Sequence, residues 1–151
     1  MRRVTFNICG VIYAVQIISI LFAISVAKHD APAANHFENF GVTPKETSIF
    51  HRYNFWLKFF FCLCTSVAVL FISGFTDGLN SGLLSFAWIY LVFDPALNLA
   101  LKNKPWYYLG KHDADGRFWL SKFGKNAGVW KAAIILAFIA TLNYLIIINI
   151  F

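Results

Sequence analysis

The sequence predicts an all-α fold: a polytopic membrane bundle of four transmembrane helices, forming one domain over residues 1–151. Three observations carry this reading. Only 13% of the residues are charged, where a water-soluble domain carries about 25%. Apolar runs recur four times, three of them without charge and the third holding only Asp94, each near the length that crosses a hydrocarbon core of about 30 Å. Lys, Arg and Trp gather at the ends of those runs, as they do in chains anchored at a membrane–water interface.

The first span covers about 4–27, and its uncharged stretch reaches about 36 Å as a helix. Its start at Met1-Arg2-Arg3 and its Ser25-Val26-Ala27 ending resemble a secretory signal. The apolar run nevertheless exceeds the roughly 7 to 15 residues of a signal core, so the segment is expected to remain as a span. Residues 28–56 hold Pro32, Pro44, three histidines and several acids, and are expected to form a surface loop.

The second span, about 57–75, starts beside Trp56, with Lys58 extending its ammonium to the headgroups. Gly74, Thr76, Asp77, Gly78, Asn80 and Gly82 read as a tight turn, which sends the third span, about 82–101, straight back. That span contains Asp94-Pro95, the order of a helix N-cap followed by a first-turn proline, so a break is expected there. A basic, aromatic connection occupies 102–128, and the last span, about 131–151, is uncharged beyond Lys131. Within the connection Trp119, Leu120 and Phe123 share one helical face and Arg117, Lys122 and Lys125 another. A short amphipathic helix over 115–125, lying in the interface, fits that division.

Four spans put the two long connections on one side. Eleven of the 13 Lys and Arg residues fall there, and only Arg2 and Arg3 lie on the other. The excess places the long connections in the cytoplasm and both termini opposite. Trp56, Trp106, Trp119 and Trp130 all fall on the long-connection side, as interfacial anchors would. The formal charge of +6 flanks apolar spans instead of an exposed basic surface, which excludes a nucleic-acid partner and favours contact with anionic lipid through Arg117, Lys122 and Lys125.

Few residues can carry chemistry. Asp94 is the one acid inside an apolar run, and an ionised carboxylate at the bilayer centre costs at least about 2.5 kcal/mol, so it needs a cap's amides, a partner or a proton. Asn98 follows one turn later, and Asn7, Gln16, Asn143 and Asn149 could extend a polar seam through the bundle. Cys62 and Cys64 point about 200° apart on a helix and cannot share one ion. His29, His36, His51, His112, Asp113 and Asp115 lack metal-ligand spacing. No nucleophile elbow, zinc-protease helix or phosphate loop occurs, and no cofactor is expected.

Three function classes remain. The first is a non-catalytic membrane component that associates with itself or with another membrane protein and contacts anionic lipid through its basic connections. A transporter or pore subunit using Asp94 and Asn98 is the second, and a lipid-modifying enzyme at the membrane surface is the third.

Overall fold

A computed structural model of the chain describes residues 2–40, 44–101, 105–109 and 114–150, with side chains described over 10–35, 52–101, 105–109 and 115–148. The described residues form five helices: α1 (Arg2–Phe40), α2 (Pro44–Ser73), α3 (Phe75–Leu101), α4 (Ala114–Phe123) and α5 (Ala127–Ile150). A single 3₁₀ turn, Gly124–Asn126, joins the last two. The stretches Gly10–Asn35, Arg52–Ser73, Phe75–Leu101 and Asp115–Ile148 are each long and apolar enough to cross a membrane.

Three expectations about the helices need correction. The 28–56 connection is helical at both ends, because α1 continues through Phe40 and α2 starts at Pro44, with 41–43 outside the described residues. Polarity marks where a span leaves lipid, not where a helix stops, and Pro44 is suited to a helix's first position. The glycine-rich turn shrinks to Gly74 alone, whose φ of 105° lets α2 and α3 reverse within one residue. The break at Asp94-Pro95 does not occur: Pro95 lies inside a continuous α3. Proline removes one backbone donor, and the packing of α3 against α1, α2 and α5 holds the helix together across that gap.

Helix α3 is the centre of the bundle and packs against α1, α2 and α5. Small residues allow this. Ser19, Ala23 and Ala27 on α1 and Ser81 and Ser85 on α3 are wholly buried, the composition that lets membrane helices approach closely. On the α2 side, a Cβ at Gly78 would lie 2.7 Å from the Leu70 Cβ and 2.8 Å from the Ser66 carbonyl oxygen. The Ser66 hydroxyl donates to the Gly78 carbonyl at 2.8 Å. On the other side, Ile12 of α1, Leu84 and Ala87 of α3, and Ile135, Ile139, Leu142 and Ile146 of α5 form one apolar cluster.

A polar tier crosses that cluster. The Gln16 amide donates to the Asn143 Oδ1 at 2.9 Å, and the Trp88 indole donates to the Gln16 Oε1 at 2.9 Å. Thus α1, α3 and α5 share one satisfied network, as buried polar groups away from water require. Of the residues expected to form a seam, Gln16 and Asn143 meet here, whereas the side chains of Asn7 and Asn149 lie outside the described residues.

Candidate functional site

A second polar tier lies toward the ends of the helices from which the long connections emerge. Its centre is Lys131. The buried residues of α5 recur as Lys131, Ile135, Ile139, Leu142 and Ile146, a helical stripe facing the core, so the ammonium enters the protein with its stripe. It is only 4% exposed, and a buried cation needs close partners to offset lost hydration. Two carboxylates provide them: Nζ donates to the Asp94 Oδ2 and to the Asp115 Oδ2, each at 2.6 Å. Asp94 is therefore an ion-pair partner and not a helix cap.

The cluster spans α3, α4 and α5. The Tyr90 hydroxyl donates to Asp115, and the Trp119 indole lies 3.0 Å from both the Tyr90 hydroxyl and the Asp115 Oδ1. Lys131 Nζ also stands 3.9 Å from the centre of the Tyr90 ring, a cation–π position that adds to its stabilisation. The carboxylate side chains keep partial access to the surface, 32% for Asp94 and 37% for Asp115.

Asn98 does something different from lining a path with Asp94. Its amide donates to the carbonyls of Trp106 at 3.2 Å and Tyr108 at 2.8 Å, pinning residues 105–109, a strap, against the end of α3. The strap also presses on α5 where only glycine fits: a Cβ at Gly128 would lie 1.8 Å from the Tyr107 carbonyl oxygen. Leu109, at the strap's end, packs with Trp119 and Ala127, supported by Leu120 and Phe123. Between strap and helices, beside Tyr90, Asp94 and Lys131, remains an opening of about 20 Å³ measured at the centre of a water-sized sphere. That is room for one water.

Helix α4 exists where the amphipathic segment was expected, but its apolar side faces protein. Trp119 is 9% exposed and packs under the strap, so it is not an interfacial anchor. The reason is that its neighbours Leu109 and Ala127 supply the apolar surface that lipid was expected to give. Arg117, Phe118 and Lys122 are exposed on the other side of α4, with Lys125 exposed on the 3₁₀ turn. Trp56, Trp106 and Trp130 are exposed as well.

Near the same end of the bundle, the Asn54 amide donates to the buried Asp30 at 2.7 Å, joining α2 to α1. The half-buried Lys58 places its Nζ 3.1 Å from the centre of the Phe93 ring, joining α2 to α3. Among the described residues, no group of three or more His, Cys, Asp or Glu side chains could hold a metal ion. The side chains of His36, His51, His112 and Asp113 lie outside the described residues.

Sequence reading missed Lys131, Tyr90 and Asp115 as members of this cluster. The signal was present for Lys131: it sits four residues before Ile135 on the core stripe of α5. Its place at the edge of an uncharged run makes it look like a flanking cation. Asp115 and Trp119 likewise share a face at a spacing of four. Nothing local to Tyr90 marks its role. No protein-family model, no curated protein and no solved structure matches the chain.

Proposed function

We propose that the chain is a non-catalytic, multi-pass membrane component that docks its long-connection end on anionic lipid and works beside a second copy or another membrane protein. The observation that carries this is Lys131 held between Asp94 and Asp115. The acid expected to serve a pathway is committed to an ion pair inside the chain, and Asn98 is committed to the strap. The exposed Arg117, Lys122 and Lys125 supply cations suited to anionic headgroups.

A second reading, a transporter or pore subunit, is favoured by the opening beside Asp94 and Lys131. Flux measurement separates the two. Proteoliposomes containing the full chain are expected to leak protons and monovalent cations no faster than protein-free vesicles, and Asp94→Asn is expected to change nothing. A flux that appears with the chain and disappears with Asp94→Asn would replace the first reading by the second.

The orientation follows from the charge asymmetry, with the long connections in the cytoplasm. Single cysteines at the exposed Asn126 and in a carboxyl-terminal extension are expected to react from opposite sides of the membrane. The background cysteines would first be replaced. Labelling of position 126 by an impermeant reagent outside intact cells would reverse the orientation.

A further inference from the structure

A crevice separate from the Lys131 cluster opens between α1 and the end of α3. It measures about 460 Å³ at the centre of a water-sized sphere and is lined by Lys28, Ala31, Pro32, Asn35, Ala100 and Leu101. That volume falls within the roughly 300 to 1,000 Å³ of small-molecule sites. Its position sets its depth. The uncharged run of α1 stops before Lys28 and the apolar end of α3 stops at Leu101, before Lys102, so in a bilayer the crevice lies at headgroup level on the long-connection side.

Its chemistry combines a donor and an acceptor. Lys28 and Pro32 both line it and are exposed, and positions four apart share one helical face. Lys28 brings an ammonium. Pro32 lies inside α1, and because proline has no N–H, the carbonyl of Lys28, four residues earlier, receives no helical hydrogen bond from position 32. A negative group would complement the ammonium, and a hydroxyl could donate to that carbonyl in place of the missing N–H. Asp30, two residues from Lys28 and so about 200° around the helix, is buried and bonded to Asn54, so its carboxylate does not face the phosphate position.

We infer that this crevice binds the headgroup of a glycerol-bearing anionic phospholipid, with the phosphate at the Lys28 ammonium and a glycerol hydroxyl at the Lys28 carbonyl. Basic pockets between the cytoplasmic ends of membrane helices commonly hold anionic headgroups. The inference rests on the membrane reading above, and it is independent of the basic surface of α4.

Native mass spectrometry of the full chain released from detergent, with phosphatidylglycerol or phosphatidylcholine added, tests it. One phosphatidylglycerol per chain is expected to remain bound in preference to phosphatidylcholine. Lys28→Gln is expected to reduce that retention about five-fold. Pro32→Ala restores the missing N–H and occupies the carbonyl. It is expected to lower preference for phosphatidylglycerol over phosphatidic acid, which lacks the second glycerol, roughly three-fold. Replacing Arg117, Lys122 and Lys125 together by Gln is expected to weaken adsorption to anionic vesicles and to leave the retained lipid in place.

Equal retention of the two lipids, or Lys28→Gln retention equal to that of the unaltered chain, would overturn the inference. Displacement of the lipid by an equal concentration of free glycerol phosphate would also overturn it, assigning the crevice to a soluble phosphate. Flotation with vesicles keeps the two levels distinct. A chain that does not float overturns the membrane reading and this inference together, whereas one that floats without retaining phosphatidylglycerol overturns the crevice alone.

Discussion

Replacing Lys131 by Met is expected to cost the bundle about 3 kcal/mol, measured as the shift in SDS-induced unfolding of the chain in mixed micelles. The substitution keeps most of the volume and removes the charge, leaving Asp94 and Asp115 facing each other without the ammonium that each now reaches at 2.6 Å. Breaking a buried pair by removing one partner costs about 3 to 5 kcal/mol. The lower figure applies because each carboxylate is about one third exposed, and water screens part of the repulsion.

Single changes to the acids are expected to be milder, since Lys131 keeps one carboxylate when either is neutralised. Asp94→Asn is expected to lose about 1 to 2 kcal/mol, because the amide oxygen still accepts a bond from Nζ. If Asp94 were a helix cap, Asn would be tolerated almost without loss, so the Asn variant distinguishes the two roles. Combining Asp94→Asn with Lys131→Met is expected to cost less than the sum of the single losses, because the first change removes part of the repulsion created by the second. An effect of Lys131→Met below about 0.5 kcal/mol, the range of an ordinary surface substitution, would show that the ion cluster contributes nothing to the fold.

The four long apolar helices were legible because an uncharged run about 20 residues long has few alternatives to a helix able to span a bilayer. Helix ends were less legible for the same reason. The segment after Ala27 turns polar, as a span leaving lipid would, yet α1 continues to Phe40, because a helix outside lipid needs no apolar run. The cap at Asp94 failed for a related reason. The Asp-Pro order identifies a helix start only when the preceding residues are not already helical, and here α3 reaches Asp94 from Phe75 without interruption.

Of the candidate site, sequence supplied one member and misread its partners. Asp94 stood out because a lone acid in an apolar run must be compensated. Its compensating cation is 37 residues away, and only the packing of α5 on α3 brings the two together. The amphipathic division of α4 was visible, yet the sequence could not say whether its Trp119 face met lipid or protein. The deciding partners, Leu109 and Ala127, come from the strap and the start of α5. An apolar face reports that water is excluded and leaves open what excludes it.

Gly128→Ala is expected to release the strap and to destabilise the chain by at least about 2 kcal/mol, toward the upper part of the range for overpacking. The added carbon would stand 1.8 Å from the Tyr107 carbonyl oxygen and 2.8 Å from its carbonyl carbon. Backbone atoms cannot rotate away as a side-chain tip can. Residues 105–109 would have to lift, and the flanking carbonyls of Trp106 and Tyr108 would leave the Asn98 amide. Leu109 would then leave Trp119 and Ala127, so the loss extends from one contact to the packing beneath α4. Asn98→Ala reaches the same end by another route, removing both bonds without any clash. Each variant is expected to expose the strap to protease in micelles and to red-shift tryptophan emission as Trp119 meets water. Together they are expected to cost clearly less than the sum of their separate effects, because both act by detaching one segment. Fully additive losses would mean that Gly128 and Asn98 serve separate parts of the bundle, and a Gly128→Ala chain as stable and protease-resistant as the original would remove the strap from the account of this end of the protein.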